Sequence, residues 1–198
     1  MARFPKLGRV LLALLVASVA GHACARRPVE APEAAARSTN EDRIIADFKA
    51  RLSKYEAVSS KHRGDVFPPG QETKGEEIHK RQKELASRIV AALPGWQQGN
   101  IFAPEIAALV KRRLAEAMSG AEGANNRAAI FDDAPPAQKV VVMTEYPAGA
   151  PVATVPSEVL KLLPVLPKEL EYRFVGRDLI LFDVSAYLMV DVIPEAIK

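Results

Sequence analysis

The stretch "YRFVGRDLILFDVSAYLMVDVIP", residues 172–194, decides the fold class because it is the most β-like part of this 198-residue chain. Its apolar runs predict three strands, Leu170–Val175, Asp178–Asp183 and Tyr187–Ile193. Gly176 and Arg177 form a Gly-X connection between the first two strands, which is typical of a type II′ hairpin turn. The run "LILF" is apolar on both faces, so its strand is expected in the middle of the sheet.

Three aspartates in this stretch, Asp178, Asp183 and Asp191, raise the question of a calcium site. Calcium loops place their oxygen ligands at short regular spacing within about a dozen residues, whereas apolar strands separate these three. They are therefore predicted to be hairpin-end residues, with Arg173 and Arg177 as cross-strand partners. No metal site is predicted, and the core of the sheet is assigned to Leu179, Leu181, Leu188, Val190 and Val192.

The residues before the sheet have the three- and four-residue apolar spacing of amphipathic helices. Three helices are predicted: Asn40–Ser60, Thr73–Leu93, and one from Pro104 to about Met118. The expected fold is α+β, with a helical region at 39–119, a linker at 120–138 and a small α+β unit at 139–198. Within that unit "VPSEVLKLLP" predicts a short helix, and "KVVVMTEY" from Lys139 offers a fourth strand to the antiparallel meander.

The first 25 residues have the layout of a secretory signal peptide. Arg3, Lys6 and Arg9 precede an apolar run from Val10 to Ala20, and the sequence A-C-A at 23–25 fits the cleavage pattern. The apolar run is shorter than the roughly 20 residues that a bilayer-spanning helix needs. We expect a periplasmic or secreted protein in which residues 26–38, rich in Pro and Ala, form a disordered tether.

Cys24 is the only cysteine, so an intramolecular disulfide is excluded. Cleavage after Ala25 removes this thiol. In the alternative reading, Cys24 is the first mature residue of a lipoprotein, and the membrane becomes a partner only through lipid on that cysteine. Gly21 stands where such signals usually have a bulky aliphatic residue.

The basic excess of the chain belongs to the signal segment. Residues 1–25 carry three basic residues and no acidic ones, so 27 Lys and Arg against 24 Asp and Glu become 24 against 24 after cleavage. A mature chain without net charge gives no support for a nucleic-acid-binding surface. The basic run at 111–113 is interpreted as a solvated helix face.

No local motif for catalysis or cofactor binding is present. The sequence has no nucleophile elbow, no phosphate-binding glycine loop and no paired metal ligands, so neither catalytic residues nor a cofactor are assigned. Glu76 and His79 share a helix face, but a di-iron site needs a second such pair. A hydrolase assembled from His62, His79 and Glu76 is kept as an alternative.

Two stretches carry a resemblance: the form "LPxLPxxLEYRFVGRDLILFDVxAxLxVDxI" over Leu163–Ile193, and "GNIFAPEIAALVKRRL" upstream of it. In these stretches the chain resembles a group of uncharacterised exported bacterial proteins. This resemblance implies export and the helix-then-sheet layout, and it implies no activity. We expect a non-catalytic envelope protein that binds another envelope protein or a cell-wall component. The other alternative is a periplasmic small-molecule carrier with an apolar pocket around Trp96 and Phe102.

Overall fold

The computed structural model describes residues 30–70, 74–133, 139–146 and 153–198. The signal segment 1–25 lies outside them. The helices are α1 Glu30–Val66, α2 Gly75–Ala92, α3 Pro104–Ala117, α4 Gly120–Asp133 and α5 Ser157–Leu160. The strands are β1 Thr144–Glu145, β2 Ala153–Thr154, β3 Leu170–Val175, β4 Asp178–Asp183 and β5 Leu188–Ile193. Helices followed by an antiparallel sheet confirm the α+β class.

Helix α1 is the longest element, at 37 residues. Its buried residues recur at the helical spacing: Ile44, Phe48, Leu52, Tyr55 and Ser59. This stripe packs against α2 and α3, which bury their own apolar stripes in return. The periodicity therefore predicts the interior of each helix well, while α1 extends beyond the predicted end at residue 60 to Val66.

The sheet is antiparallel, in the order β1-β5-β4-β3-β2. The strand that carries "LILF" is central, as predicted from its two apolar faces. Gly176 has a φ of 57° whereas Arg177 has no positive φ, which fits the predicted type II′ turn. The two outer strands have only two residues each, so most of the predicted strand at 139–146 is irregular backbone.

A bulge in the pairing of β4 with β5 changes which side chains face the helices. Leu181 pairs with Asp191 and Phe182 pairs with Met189, so Val190 is the extra residue. Consequently Val190 and Asp191 both point toward the helices. Val192, which alternation from Leu188 assigns to the same face, instead joins the opposite face.

The helices and the sheet share one hydrophobic core. It joins Phe48 and Leu52 of α1 to Tyr172, Leu181 and Leu188 of the sheet, together with α2 and α3. The other sheet face carries a second apolar cluster, built from Ile180, Phe182, Met189, Val192 and Tyr146. The helical and β parts are thus not stabilised as independent units.

Two segments predicted to be irregular are helical. Residues 120–133, predicted as a linker, form α4. The helix is held by burial of Ile130 and by a close approach of Gly123 to Met118, and such tertiary packing is not visible in the local pattern. Residues 30–38 of the predicted tether continue α1 N-terminally, and the rest of that tether lies outside the described residues.

Candidate functional site

Asp178 and Asp183 lie at the two ends of β4, as predicted, whereas Asp191 lies inside β5. Asp183 and Asp191 are, in addition, buried residues that join the sheet to the helical part. Both are fully buried. Asp183 accepts hydrogen bonds of 2.8 Å from the hydroxyl groups of Tyr55 and Ser59 on α1, and of 3.0 Å from the backbone N–H of Ala186. Its carboxylate therefore fastens the first helix to the end of β4. Burial raises the pKa of Tyr55 well above its usual value, so its hydroxyl stays a donor.

Asp191 binds the loop between α2 and α3 through backbone groups alone. It accepts hydrogen bonds from the N–H groups of Gly99, Ile101 and Phe102 at 2.7–2.8 Å, and from Val192 at 2.8 Å. The bulge is what aims this carboxylate at the loop. Burial raises the pKa of Asp191, outweighing the backbone hydrogen bonds that favour the charged form.

The predicted arginine partners of these aspartates pair with glutamates instead. Arg173 forms an ion pair with Glu171, and Arg177 lies 3.9 Å from Glu195. Because Asp183 and Asp191 face inward, they are out of reach of side chains on the solvent side of the hairpin. Their role depends on long-range contacts that strand patterns do not reveal.

The hydrolase candidates are not brought together. His79 borders a cleft with Gln82 and Tyr187, whereas Glu76 borders a different cleft with Lys80. His62 is on α1, where its Nδ1 lies 4.0 Å from Asp65. The basic run at 111–113 is partly structural, since Arg112 and Arg113 both pair with Glu41.

Trp96 and Phe102, proposed to border a carrier pocket, pack into the core. The Trp96 Nε1–H donates a 3.0 Å hydrogen bond to the Val190 carbonyl, and the indole lies against Tyr55 at 5.8 Å between ring centroids. The Phe102 ring stacks between Phe48 and Tyr172 at 6.0 and 6.4 Å. These rings fill the space that the carrier hypothesis assigned to a ligand.

A surface groove lies between α5 and β3, and we call it the apolar groove. It has a volume of about 400 Å³ and includes Leu160, Leu163, Val165, Leu170, Tyr172 and Arg173. Two large aliphatic side chains at its rim are exposed, Val165 at 84% and Leu160 at 43%. An exposed apolar patch of this kind often marks an interaction surface.

Hydrogen bonds hold both walls of the apolar groove. Arg113 on α3 donates a 2.9 Å bond to the Leu162 carbonyl just after α5, and the Tyr172 hydroxyl donates a 3.0 Å bond to the Pro164 carbonyl. The short β2 pairs only with Phe174 and Arg173, so it covers just part of the β3 edge. The groove is thus a preformed apolar surface beside a sheet edge.

A second depression, which we call the polar cleft, lies at the opposite edge of the sheet. It has a volume of about 290 Å³ between α2, the β1 strand and the turn before β5. Helix α2 contributes His79, Gln82 and Lys83 to its lining, and the sheet side contributes Glu145 and Tyr187. His79 was a candidate for catalysis from the sequence, but its neighbours from the sheet are brought to it only by the fold.

Two further observations concern membrane spans and metal ligands. Among the described residues, no helix is long and apolar enough to cross a bilayer. The same residues contain no group of three His, Cys, Asp or Glu side chains placed to hold a metal ion. Comparison of the chain with protein-family models, with curated proteins and with solved structures finds no match.

Proposed function

We propose that this chain is an exported, non-catalytic binding protein, and that its apolar groove receives an extended apolar segment of a partner protein. The single observation that carries the proposal is the exposure of Val165 and Leu160 at the rim of a preformed apolar groove. Leaving these side chains in water is unfavourable, and a partner that covers them recovers the hydrophobic free energy.

The character of the groove favours an uncharged polypeptide segment. Among the described residues, the charged side chains of the groove are Glu171 and Arg173, which pair with each other, so these residues offer no unbalanced charge to an ionic ligand. It runs beside β3, whose edge is only partly covered by β2. An extended peptide placed there can add main-chain hydrogen bonds to the burial of its apolar side chains.

Selection of binding peptides from a random displayed library tests this proposal. We expect the purified protein to enrich peptides with a short apolar run. Val165→Asp, which places a charge at the rim, is expected to weaken their binding by about tenfold or more. Val141→Asp is the matched control, because Val141 is 45% exposed but does not border the groove.

Two results would contradict the proposal. Peptides that bind Val165→Asp as tightly as the original protein would place their site elsewhere. A groove that takes up a fatty acid, with no peptide competing for it, would favour the small-molecule carrier instead.

A further inference from the structure

The polar cleft has the dimensions and rigidity of a small-molecule site. His79, Gln82 and Lys83 lie three and four residues apart on α2, so they share one helix face. The polar cleft has a volume of about 290 Å³, which is near the lower end of the range for ligand pockets and suits a compact ligand. The opposite wall is fixed, since the N–H of Tyr146 donates a 3.0 Å bond to the carbonyl of Tyr187.

The cleft is bordered by opposite charges from two elements. Lys83 stands on α2 and Glu145 on β1, and within the described part of the chain neither forms an ion pair or side-chain hydrogen bond. Other charges of α2 do pair along the helix, Arg88 with Glu84 at 2.6 Å for example. A cation and an anion left open across a small cleft complement a ligand that carries both charges.

Gln82 adds a buried hydrogen-bond acceptor beside these charges. Its Nε2 donates a 3.3 Å bond to the Val184 carbonyl, which fixes the orientation of the amide because that carbonyl can only accept. Its Oε1 is buried and finds no donor among the described residues. This oxygen is closed to solvent and to a ligand in the cleft, so Gln82 contributes a wall of fixed orientation.

Tyr187 supplies an aromatic wall in a strained conformation. Its φ of 53° is uncommon for a residue other than glycine, and strain of this kind concentrates at functional positions. The turn holds the ring against Phe182, with centroids 5.2 Å apart. The ring is thereby fixed where an apolar part of a ligand can pack on it.

We infer that the polar cleft binds a small zwitterion of the α-amino-acid kind. The ligand carboxylate pairs with Lys83, its ammonium group pairs with Glu145, and its apolar side chain packs on Tyr187. This site is separate from the apolar groove, which lies at the other edge of the sheet. It does not depend on the proposed peptide-binding function.

Titration of the isotope-labelled protein with single L-amino acids, followed by amide NMR shifts, tests the inference. We expect saturable shifts at Lys83, Ala186 and Tyr187 with an amino acid that has an apolar side chain. The N-acetylated form and the amide form of the same amino acid each lack one charge and are expected to bind about tenfold more weakly. Neutral monosaccharides are expected to leave these resonances unchanged.

Charge variants separate this site from the rest of α2. Lys83→Met and Glu145→Gln are each expected to weaken binding by about tenfold. Lys80→Met and Glu77→Gln are the controls, because both residues border the other cleft of this helix. Each of three results would overturn the inference. The one-charge analogues could bind as tightly as the amino acid, or Lys83→Met and Glu145→Gln could bind it unchanged. The third such result is that no amino acid gives saturable shifts.

Discussion

The hydroxyl of Tyr55 lies 2.8 Å from a carboxylate oxygen of Asp183, and this bond joins helix α1 to the central strand across 128 residues of chain. Both groups are buried in the core that the helices and the sheet share. The carboxylate has no basic partner in the described part of the chain and is satisfied by neutral donors. Each of those donors therefore contributes to stability, because a buried carboxylate oxygen that loses a hydrogen-bond donor is left unsatisfied.

Tyr55→Phe removes this donor and keeps the ring. We expect the free energy of unfolding to fall by about 1–3 kcal/mol, since the bond is lost and the Asp183 oxygen stays buried. Urea denaturation followed by far-UV circular dichroism measures it. Ser60→Ala, on the exposed side of the same helix, is the control and is expected to change stability by less than about 0.5 kcal/mol. Equal effects of the two substitutions would contradict this role for Tyr55.

Asp191 gives a prediction about pH. Burial raises its pKa above the unfolded value of about 3.9, so the folded state holds this proton more tightly than the unfolded state. The contribution of Asp191 to stability therefore decreases as pH rises from about 4 through its raised pKa. Asp191→Asn cannot titrate and lacks this contribution.

The free energies of unfolding of the original protein and of Asp191→Asn are to be compared from pH 4 to pH 8. We expect the original protein to lose stability relative to the variant across this range. The difference isolates one carboxyl group from all others that titrate. A relative gain in stability of the original protein with rising pH would mean that the backbone hydrogen bonds dominate and that the pKa is lowered.

The local elements were predictable from sequence where neighbouring residues determine them. The strands around Gly176 follow from apolar runs and one turn residue, and the cores of α1 to α3 follow from helical spacing. The roles of Asp183 and Asp191 did not follow, because the loop donors to Asp191 lie 89 to 92 residues earlier in the chain. Val192 is buried as predicted, but a bulge at Val190 shifts the alternation and turns its side chain to the face away from the helices.

The same limit applies to the two surface sites. The polar cleft unites α2 with β1 and the turn before β5, so Lys83 and Glu145 meet only through the fold. The segment that forms the apolar groove was interpreted only as a short helix between prolines. Whether its leucines and Val165 are buried depends on how α3 and β3 pack around it, and sequence spacing over so few residues does not specify that.

A third prediction compares Gly123 in helix α4 with Gly75 at the start of helix α2. A Cβ atom at Gly123 would overlap the backbone of Met118, whereas a Cβ at Gly75 meets nothing within 4 Å. Gly123→Ala is expected to cost about 1–3 kcal/mol because the backbone must shift. Gly75→Ala, at the start of α2, is expected to be neutral or stabilising by up to about 1 kcal/mol. Thermal denaturation of both variants compares them, and a harmless Gly123→Ala would contradict the packing of α4.

Arg113 connects α3 to both α1 and the apolar groove. Its guanidinium donates 2.9 Å hydrogen bonds to Glu41 on α1 and to the Leu162 carbonyl just after α5. The hydrogen bond from Arg113 lowers the pKa of Glu41, so this pair adds stability above the unfolded pKa of glutamate, about 4.3, and the contribution is lost as pH falls. Arg113→Met removes both connections, while Arg112→Met removes only a contact with Glu41.

We expect Arg113→Met to loosen the wall of the groove without unfolding the protein. Amide hydrogen exchange at Lys161 and Leu163, whose N–H groups bond within the α5 turn, is expected to quicken by about threefold to tenfold. The Arg112→Met control is expected to leave those amides unchanged, since an exposed ion pair contributes little. Peptides selected on the original protein should also bind Arg113→Met more weakly. Equal exchange rates in both variants would mean that α5 is positioned by its apolar packing alone, and Arg113 would then have no part in shaping the groove.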